Sequence, residues 1–414
     1  MDIELLVFVG IDWASTEHQV CLIGVDGPVQ RAFAHDADGI GAMVDWLVAE
    51  AEQPSQVAVA IETPHGPIVE ALMDRGVAVF AINPKQLDRF RDRFSPAGAK
   101  DDRRDALVLA SSLRTDRHCF RRVKTLDPVV VELREWSRMA EELKQERVRL
   151  TNRVRQQLWR YYPQMLDLTE DVGADWFLAL WSKAPTPAEA MHLTETMIAR
   201  ILAAHRIRRI TAHDALATLH RPALTVAPGT ADAARAHITA VAERLNLVNR
   251  QIKTVTRRLD GLVEQLAGPE TEPGQDTEQR DAAILRSLPG VGRIVLATLL
   301  AEAHQALQAR DYHALRTLTG VAPVTKRSGK SCRVEMRQAC SARLRTAVYH
   351  WARVATQHDA RSRRRYAALR ARGHSHGRAL RTVADRLLEI ACVMLTSRTM
   401  FDPEKLPADR PKSA

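Results

Sequence analysis

The chain has 414 residues, too many for one ordinary domain, and 45% of them are hydrophobic, which is enough for a sizeable core. Lysine and arginine number 60 against 50 acidic residues, so the formal charge of +10 favours a polyanionic partner. No apolar run reaches the length of a membrane span, the N-terminus lacks a secretion signal, and the five cysteines show no zinc-type spacing. The composition therefore excludes membrane and disulfide-rich classes and predicts a cytoplasmic protein with reduced thiols.

Residues 1–125 are predicted to form an α/β domain. The predicted elements, in chain order, are strands at 5–13, 19–25 and 31–35, a helix at 39–51, strands at 57–61 and 77–82, and a helix from about 102 to 113. Turn signals such as Asp26-Gly27 indicate that the first three strands form an antiparallel meander. Strands first, then alternating helix and strand, match the ribonuclease-H-like (RuvC-like) plan.

Residues 126–280 are predicted to be helical, with a polar linker at 268–279. From Ile238 to Leu266, apolar residues step by three and four without a break, which is the narrow seam of a coiled coil. An earlier stretch, 129–158, shows near-heptad spacing as well. We therefore expect a two-helix coiled coil with a small helical insert at its tip.

Residues 281–400 are predicted to form a mostly helical domain, followed by a disordered tail at 401–414. Leu288-Pro-Gly-Val-Gly292, before an Ala/Leu-rich stretch, is typical of a helix-hairpin-helix, so the predicted fold class is α/β plus all-α. Between Val321 and Arg386 there are 17 lysines and arginines but three acidic residues. We expect a phosphate backbone to lie on this region, the alternative being a solvated basic surface.

Two carboxylates end predicted apolar strands. Asp12 lies in Val-Gly-Ile-Asp-Trp, and Glu62 closes the strand at 57–61. A charge inside an apolar strand is costly unless a partner compensates it, although an Asp can also cap a turn. In a ribonuclease-H-like sheet the end of the fourth strand lies beside the middle of the first, so the two side chains are expected to converge.

Asp102 and Asp105 are three residues apart on the predicted helix at 102–113, which puts both on one face. Capping of the helix N-terminus is the alternative explanation, and Asp101 offers another register. Together with Asp12 and Glu62 they form an oxygen-donor set that suits two Mg²⁺ ions. Such a pair of ions activates an attacking oxygen and stabilises a leaving oxygen in phosphoryl transfer.

These motifs resemble the DEDD insertion-sequence transposases, which are related to the Piv-type DNA invertases. The resemblance rests on Gly-Ile-Asp-Trp-Ala, Glu62 and Lys-x-Asp-x-x-Asp-Ala in the N-terminal part, then on the 288–292 motif, Gly320-Val-Ala-Pro323, the Ser328-Gly329 loop and Ser341–Arg345. It covers nearly the whole chain, in the family's order. It implies a metal-dependent DNA recombinase that moves its own element or inverts a DNA segment.

The resemblance also implies a serine nucleophile in the Ser328-Gly329 loop, forming a covalent phosphoserine link to DNA. Matching the motif gives Ser328; Ser331 is a near neighbour and remains an alternative, and Arg327 replaces a serine that family members often show. A serine in such a loop is usually only part of a turn. The family further implies dimers that pair into a tetramer, in which the carboxylates of one subunit meet the serine of another.

A guide, the bridge RNA, is also implied by the resemblance, although the sequence has no aromatic-rich RNP motif that would show it. The coiled coil is a candidate dimerisation element. Glycines at 290 and 292 could present backbone N–H groups to a phosphate or simply make an interhelical turn. The residues expected to contact nucleic acid are Lys100, Pro289, Gly290, Gly292, Lys326, Arg327, Gly329, Lys330, Arg333, Arg343 and Arg345.

Two other functions stay open on the sequence. One is a junction-resolving nuclease that needs only the four carboxylates and forms no covalent adduct. The other is a non-catalytic nucleic-acid-binding derivative, which would bind no Mg²⁺. The expected setting of the recombinase is the prokaryotic cytoplasm, at the nucleoid and away from membranes.

Overall fold

The computed structural model of the chain describes residues 4–94, 101–124, 128–266 and 277–403. The chain divides into two compact units, Met1–Leu126 and Asp127–Ala414. The predicted linker and tail fall largely outside the described residues, and Lys100 lies outside them. Within the described ranges, no helix is both long and apolar enough to span a membrane.

The N-terminal unit is a mixed sheet flanked by helices. Its elements are β1 (Val7–Asp12), β2 (Glu17–Gly24), β3 (Gly27–Ala34), α1 (Ala37–Ala49), β4 (Val57–Ile61), α2 (Pro67–Asp74), β5 (Ala78–Ala81), α3 (Pro84–Phe94), α4 (Asp102–Thr115) and β6 (Arg121–Arg122). The strand order is β3-β2-β1-β4-β5-β6. The predicted meander is confirmed, since β1–β2 and β2–β3 pair antiparallel, while β1, β4 and β5 run parallel. The sequence prediction missed α2, α3 and β6.

The strand β1 alternates between the two faces of this sheet, as a pleated strand must. Val9 and Ile11 are fully buried in the core that includes residues of α1 and α2. Phe8 belongs instead to the core on the side of α4, so Gly10 and Asp12 face that side by the same alternation. The position of Asp12 thus follows from the period of the strand.

The C-terminal unit is mostly helical. Its elements are α5 (Pro128–Tyr161), α6 (Asp175–Lys183), α7 (Pro187–Ala190), α8 (Glu195–Ala204), α9 (Ala212–Leu219), α10 (Thr230–Leu266), α11 (Thr277–Ser287), α12 (Arg293–Glu302), α13 (His304–Gln308), α14 (Tyr312–Leu318), β7 (Val324–Ser328), β8 (Ser331–Glu335), α15 (Ala342–His358), α16 (Ala360–Ala371) and α17 (His376–Ser397). Short helices α6 to α9 separate the two long helices α5 and α10 in the chain.

The long helices α5 and α10 pack side by side and run antiparallel. Glu132 near the start of α5 pairs with Arg258 near the end of α10, and Glu146 pairs with Arg244. The predicted seam of α10 is buried except for the partly buried Ile252. Since this seam packs within the chain, contacts between subunits would need other faces of the two helices.

A buried polar contact fixes how these helices meet the insert. Asn249 on α10 accepts a hydrogen bond from Arg147 on α5 at 2.8 Å. Its amide nitrogen donates to the Gly173 carbonyl at 2.9 Å and to Asp175 at 2.7 Å. Asn249 lies next to the seam residue Val248, and a shift of α10 against the insert would leave its two donors unsatisfied.

Candidate active site

Asp12 and Glu62 leave the sheet side by side. The parallel register pairs Gly10 with Ala60 and Ile11 with Ile61, so the two carboxylates follow at the same level at the carboxyl ends of β1 and β4. We expected the end of the fourth strand to lie beside the middle of the first, and the register corrects this. The two positions are neighbours because both strands end together.

The helix α4 approaches this edge very closely, because the strands beneath it carry small side chains. A Cβ atom added to Gly10 would lie 2.0 Å from the Ala106 carbonyl oxygen, far inside any real contact. Ala58 and Ala60 on β4 belong to the same face and are fully buried. The glycine therefore allows the part of α4 from Ala106 to Ala110, directly after Asp105, to lie against the strand that ends at Asp12.

The three acidic residues that begin α4 have different environments. Asp101 is the N-cap, and its side chain accepts a hydrogen bond from the backbone N–H of Arg103 at 3.3 Å. Asp102 is exposed, whereas Asp105 is buried, with 2% of its side chain accessible. Capping therefore explains Asp101, the alternative register of the sequence prediction, but it does not explain the burial of Asp105.

The partner of Asp105 is Arg91 on α3, which the sequence reasoning did not select. Its guanidinium donates from Nε at 2.6 Å and from Nη2 at 2.7 Å to the two oxygens of Asp105. Nη2 also lies 3.7 Å from Glu62 Oε1, and Nη1 pairs with Asp88. Burial opposes the charge of Arg91, but the hydrogen bond and charge of Asp105 outweigh it and raise the pKa of the guanidinium. A sequence signal existed, since α3 is a basic helix directly before the Asp101–Asp105 segment.

The donor set suits a divalent cation in its chemistry. Asp12, Glu62, Asp102 and Asp105 offer only carboxylate oxygens, which are the hard ligands that Mg²⁺ prefers. The Arg91 guanidinium already places a positive charge between Glu62 and Asp105. Across the described ranges, no three Asp, Glu, His or Cys side chains lie in an arrangement ready to hold a metal ion. The carboxylates thus fit a cation, but only after some rearrangement of their side chains.

An exposed indole marks the same edge of the sheet. Trp13 follows Asp12, is 45% exposed, and donates from Nε1 to the Thr63 hydroxyl at 3.0 Å. Thr63 follows Glu62, so this bond ties together the two segments that leave β1 and β4. Neither residue was singled out in the sequence, because the bond joins positions 50 residues apart.

The turn after β1 is held by a buried histidine. The Nδ1 atom of His18 accepts from the Ala14 backbone N–H at 3.2 Å, which leaves its Nε2 to donate to His35 Nδ1 at 2.8 Å. Burial, and secondarily the proximity of His35, lowers the pKa of His18. The neutral ring therefore fixes the turn that follows Asp12.

Ser328 is the last residue of β7 and adjoins the turn of a short hairpin, in the segment predicted to be a loop. β7 and β8 pair antiparallel, and Ser328 lies directly opposite Ser331 across the two-residue turn. Gly329 in that turn has φ +52°, a left-handed conformation that glycine adopts at low cost. Both serines are exposed, and opposed residues share a face, so the pairing places them together at the tip.

The cations of the hairpin divide between its two faces. Lys326 and Arg333 pair with each other and share the face of the serines, since each lies two residues from one of them. Both are held by Glu335, at 2.8 Å from Lys326 Nζ and 3.2 Å from Arg333 Nε. Arg327 pairs with Cys332 and so belongs to the opposite face. The structure thereby separates cations that the sequence grouped together.

The predicted helix-hairpin-helix turn is packed against α15. Gly290 has φ +83°, and a Cβ there would lie 2.8 Å from the Ala355 nitrogen. The Pro289 carbonyl accepts from the indole of Trp351 at 2.9 Å. Gly292, by contrast, has open space where a Cβ would be, so the two glycines of the motif serve different purposes. Gly290 allows the turn to pack closely against the backbone of α15.

Arg343 and Arg345 both have partners within the chain. Arg343 lies 3.3 Å from Glu302 and donates to the Ser137 hydroxyl at 2.9 Å, joining α15 to α12 and α5. Arg345 donates to the carbonyls of Arg337 and Gln338 at 3.1 and 2.9 Å. These contacts are structural, and the expected nucleic-acid role of the two residues stays a prediction.

Comparison with known proteins gives matches along most of the chain. A family model of DEDD transposases of the IS110 type, described as "Transposase", matches residues 9–163, and one described as "Transposase IS116/IS110/IS902 family" matches residues 282–367. A mini-circle putative transposase for IS117 from Streptomyces coelicolor is 31% identical over 97% of both chains. The chain belongs to the IS110 family of insertion-sequence transposases.

A putative transposase from Sinorhizobium fredii is 56% identical over 209 residues, which are 50% of this transposase and 58% of that protein. An uncharacterised protein of insertion element IS110 from Streptomyces coelicolor is 25% identical over 97% of the chain. The expected family is thus confirmed, and with it the expectation of an enzyme of DNA transposition. The first family model spans Asp12, Glu62, Asp102 and Asp105, and the second spans Ser328.

Proposed function

We propose that this transposase cuts and exchanges the DNA strands of its own insertion sequence, using a divalent-metal carboxylate site and a serine nucleophile. The observation that carries the proposal is the juxtaposition of Glu62 and Asp105 around one positive charge at the carboxyl ends of parallel strands. An antiparallel meander followed by parallel strands, with α4 packed on the sheet, is consistent with the ribonuclease-H-like plan and supports this proposal.

Asp12, Glu62, Asp102 and Asp105 are the residues that would hold Mg²⁺, two ions being expected. When bound, the metal supplies charge stabilisation to the attacking and leaving oxygens of a phosphodiester. The protein supplies position: Asp12 and Glu62 are fixed by the strand register and Asp105 by the close packing of α4 on Gly10. Because the backbone at these residues is already placed, only their side chains have to rearrange when a metal ion binds.

Ser328 is the proposed nucleophile. Its Oγ forms a bond to phosphorus as one bond from phosphorus to a deoxyribose oxygen breaks, and the proton lost by Oγ is balanced by the proton gained by the leaving oxygen. Lys326 and Arg333 share the serine face and would neutralise the phosphate oxygens. Glu335 orders both cations. Ser331 has the same access to these cations and is the alternative nucleophile.

Nucleic acid is proposed to lie along the exposed hairpin and the basic region after it. The hairpin is almost without buried side chains and carries four positive charges, on Lys326, Arg327, Lys330 and Arg333, with Gly329 at its turn. A two-stranded hairpin of this kind is marginal alone and gains stability from a partner. Phosphates match its charge, and counterion release would make the affinity strongly dependent on salt.

The guide and the assembly remain part of the proposal. The family resemblance suggests a bridge RNA and dimers that pair into a tetramer, with the carboxylates of one subunit meeting the serine of another. The carboxylates and Ser328 belong to different compact units of the chain, which is compatible with such sharing. Because the α10 seam is covered by α5, subunit contacts are proposed to use other surfaces.

A denaturing gel tests the nucleophile and the metal site together. The wild type is incubated with labelled element-end DNA, Mg²⁺ and co-expressed flanking RNA, beside Ser328→Ala, Ser331→Ala and Asp12→Asn. A covalent adduct that persists in Ser331→Ala and disappears in the other two variants supports the proposal. Ser331→Ala is the matched control, because it removes a hydroxyl from the same hairpin face.

The remaining outcomes separate the other functions. If the adduct is lost in Ser331→Ala and kept in Ser328→Ala, Ser331 is the nucleophile. Cleavage with no adduct, lost only in Asp12→Asn, would indicate a junction-resolving nuclease. No cleavage by the wild type, together with no Mg²⁺ binding in a separate titration, would indicate a non-catalytic nucleic-acid-binding derivative.

A further inference from the structure

Arg91 contacts three carboxylates of the N-terminal unit. Its guanidinium makes two short hydrogen bonds to Asp105, pairs with Asp88 one turn earlier on α3, and approaches Glu62. Its side chain is 25% exposed, against 2% for Asp105. The contact is therefore partly withdrawn from solvent, unlike an ordinary surface ion pair.

The burial of Asp105 explains why such a cation is needed. An ionised carboxylate is unfavourable away from water unless it is paired, and removing one partner of a buried pair leaves the other uncompensated. A planar guanidinium satisfies both oxygens of a carboxylate at once, as it does here. In α3, Arg93 makes a comparable pair with Asp116 at 2.9 Å, but it is 54% exposed and touches none of the four carboxylates.

A divalent cation bound by Glu62 and Asp105 would need the oxygens that Arg91 now occupies. Both Asp105 oxygens accept from the guanidinium, and Glu62 Oε1 lies 3.7 Å from it. Two positive charges in this space would repel each other. The arginine and the cation are thus alternative occupants of one set of oxygens.

We propose that Arg91 is a resident counter-ion of the carboxylate cluster, which holds Asp105 when no divalent cation is bound and leaves it when one binds. The inference rests on the proposed carboxylate metal site and goes beyond it, because it assigns a role to a residue outside the four carboxylates. Arg91 is a positioning residue in this scheme. It stabilises the fold without metal and lowers the apparent metal affinity by competition.

The test measures metal affinity and stability separately in the full-length chain. Mn²⁺ binding is followed by electron paramagnetic resonance of the free ion, and melting temperatures are recorded in EDTA and in Mn²⁺. The variants are Arg91→Met, Arg91→Lys, Asp105→Asn and, as the matched control from the same helix, Arg93→Met.

Arg91→Met is expected to bind Mn²⁺ roughly tenfold more tightly than the wild type, because the competing charge is gone. In EDTA it should melt ~5 °C lower, and Mn²⁺ should reverse most of that loss. Arg91→Lys keeps a charge without the planar fork, so its affinity should fall between the two. Arg93→Met should match the wild-type affinity for Mn²⁺.

Weaker or unchanged Mn²⁺ binding in Arg91→Met would overturn the counter-ion role. If that variant does not fold, wild-type affinity in Arg91→Lys is the result that overturns it. Asp105→Asn separates this failure from that of the proposed function. Lost binding in Asp105→Asn beside unchanged binding in Arg91→Met refutes only the role of Arg91, whereas unchanged binding in Asp105→Asn refutes the carboxylate site itself.

Discussion

Replacing Gly10 by alanine should damage both the N-terminal fold and the site. The added Cβ would lie 2.0 Å from the Ala106 carbonyl oxygen, 2.6 Å from the Ala110 nitrogen and 2.7 Å from Leu109 Cβ. Comfortable carbon contacts are roughly 3.5 Å, so α4 would have to move outward by about 1.5 Å. Overpacking costs up to about 3 kcal/mol, and the upper end is expected because rigid helix backbone is displaced.

A cost of that size should lower the melting temperature of the N-terminal unit by about 10 °C. Calorimetry of the full chain measures this loss, and hydrogen–deuterium exchange of peptides covering residues 102–115 reports whether α4 is the element that loosens. Gly24→Ala is the matched strand control, since its Cβ would meet only Leu22 Cδ2 at 3.7 Å. Unchanged melting and unchanged protection of α4 in Gly10→Ala would refute the close-packing argument.

Three further outcomes follow from single contacts. Trp351→Phe removes the donor to the Pro289 carbonyl and should lower the free energy of unfolding, measured with denaturant, by about 2 kcal/mol. An unchanged free energy of unfolding would mean that the turn does not depend on this hydrogen bond. At neutral pH, iodoacetamide should modify the exposed Cys332 and spare the buried Cys392, because burial raises the pKa of the Cys392 thiol to about 11. Equal labelling of the two cysteines in mass spectrometry would contradict this. The pKa of His18, measured by NMR, should lie below 6.5. Between the two pKa values the unfolded chain binds a proton at His18 that the folded chain does not, so the free energy of unfolding should fall as the pH drops below 6.5. A measured pKa above 6.5 would contradict this.

Local pattern was sufficient for the family and for the first five strands, α1, α4 and the long helices, but not for α2, α3 or the strands β6 to β8. The strand period predicted β1 and β4 with their terminal carboxylates, and helical spacing predicted α4 from Asp102. The unbroken three-and-four spacing of α10 predicted a long helix with one buried stripe. These features depend on residues close together in the chain, so a single sequence contains the information.

The contacts that organise the site were decided by tertiary structure. The register placed Glu62 level with Asp12. The packing of α4 buried Asp105, whereas Asp101 caps the helix and Asp102 is exposed. Arg91 became part of the site only because α3 lies beside α4, and Arg343 was drawn into a pair with Glu302 from another helix.

The sequence by itself thus determined the first five strands, the long helices, the acidic positions and the membership in a transposase family. The tertiary structure decided which cation neutralises Asp105, which hairpin face carries Ser328, and why Gly10 can have no side chain. The physical reason is the distance along the chain over which each feature is set. Backbone period is set by neighbours a few residues apart, whereas pairing and close packing depend on atoms that the fold brings together from distant positions.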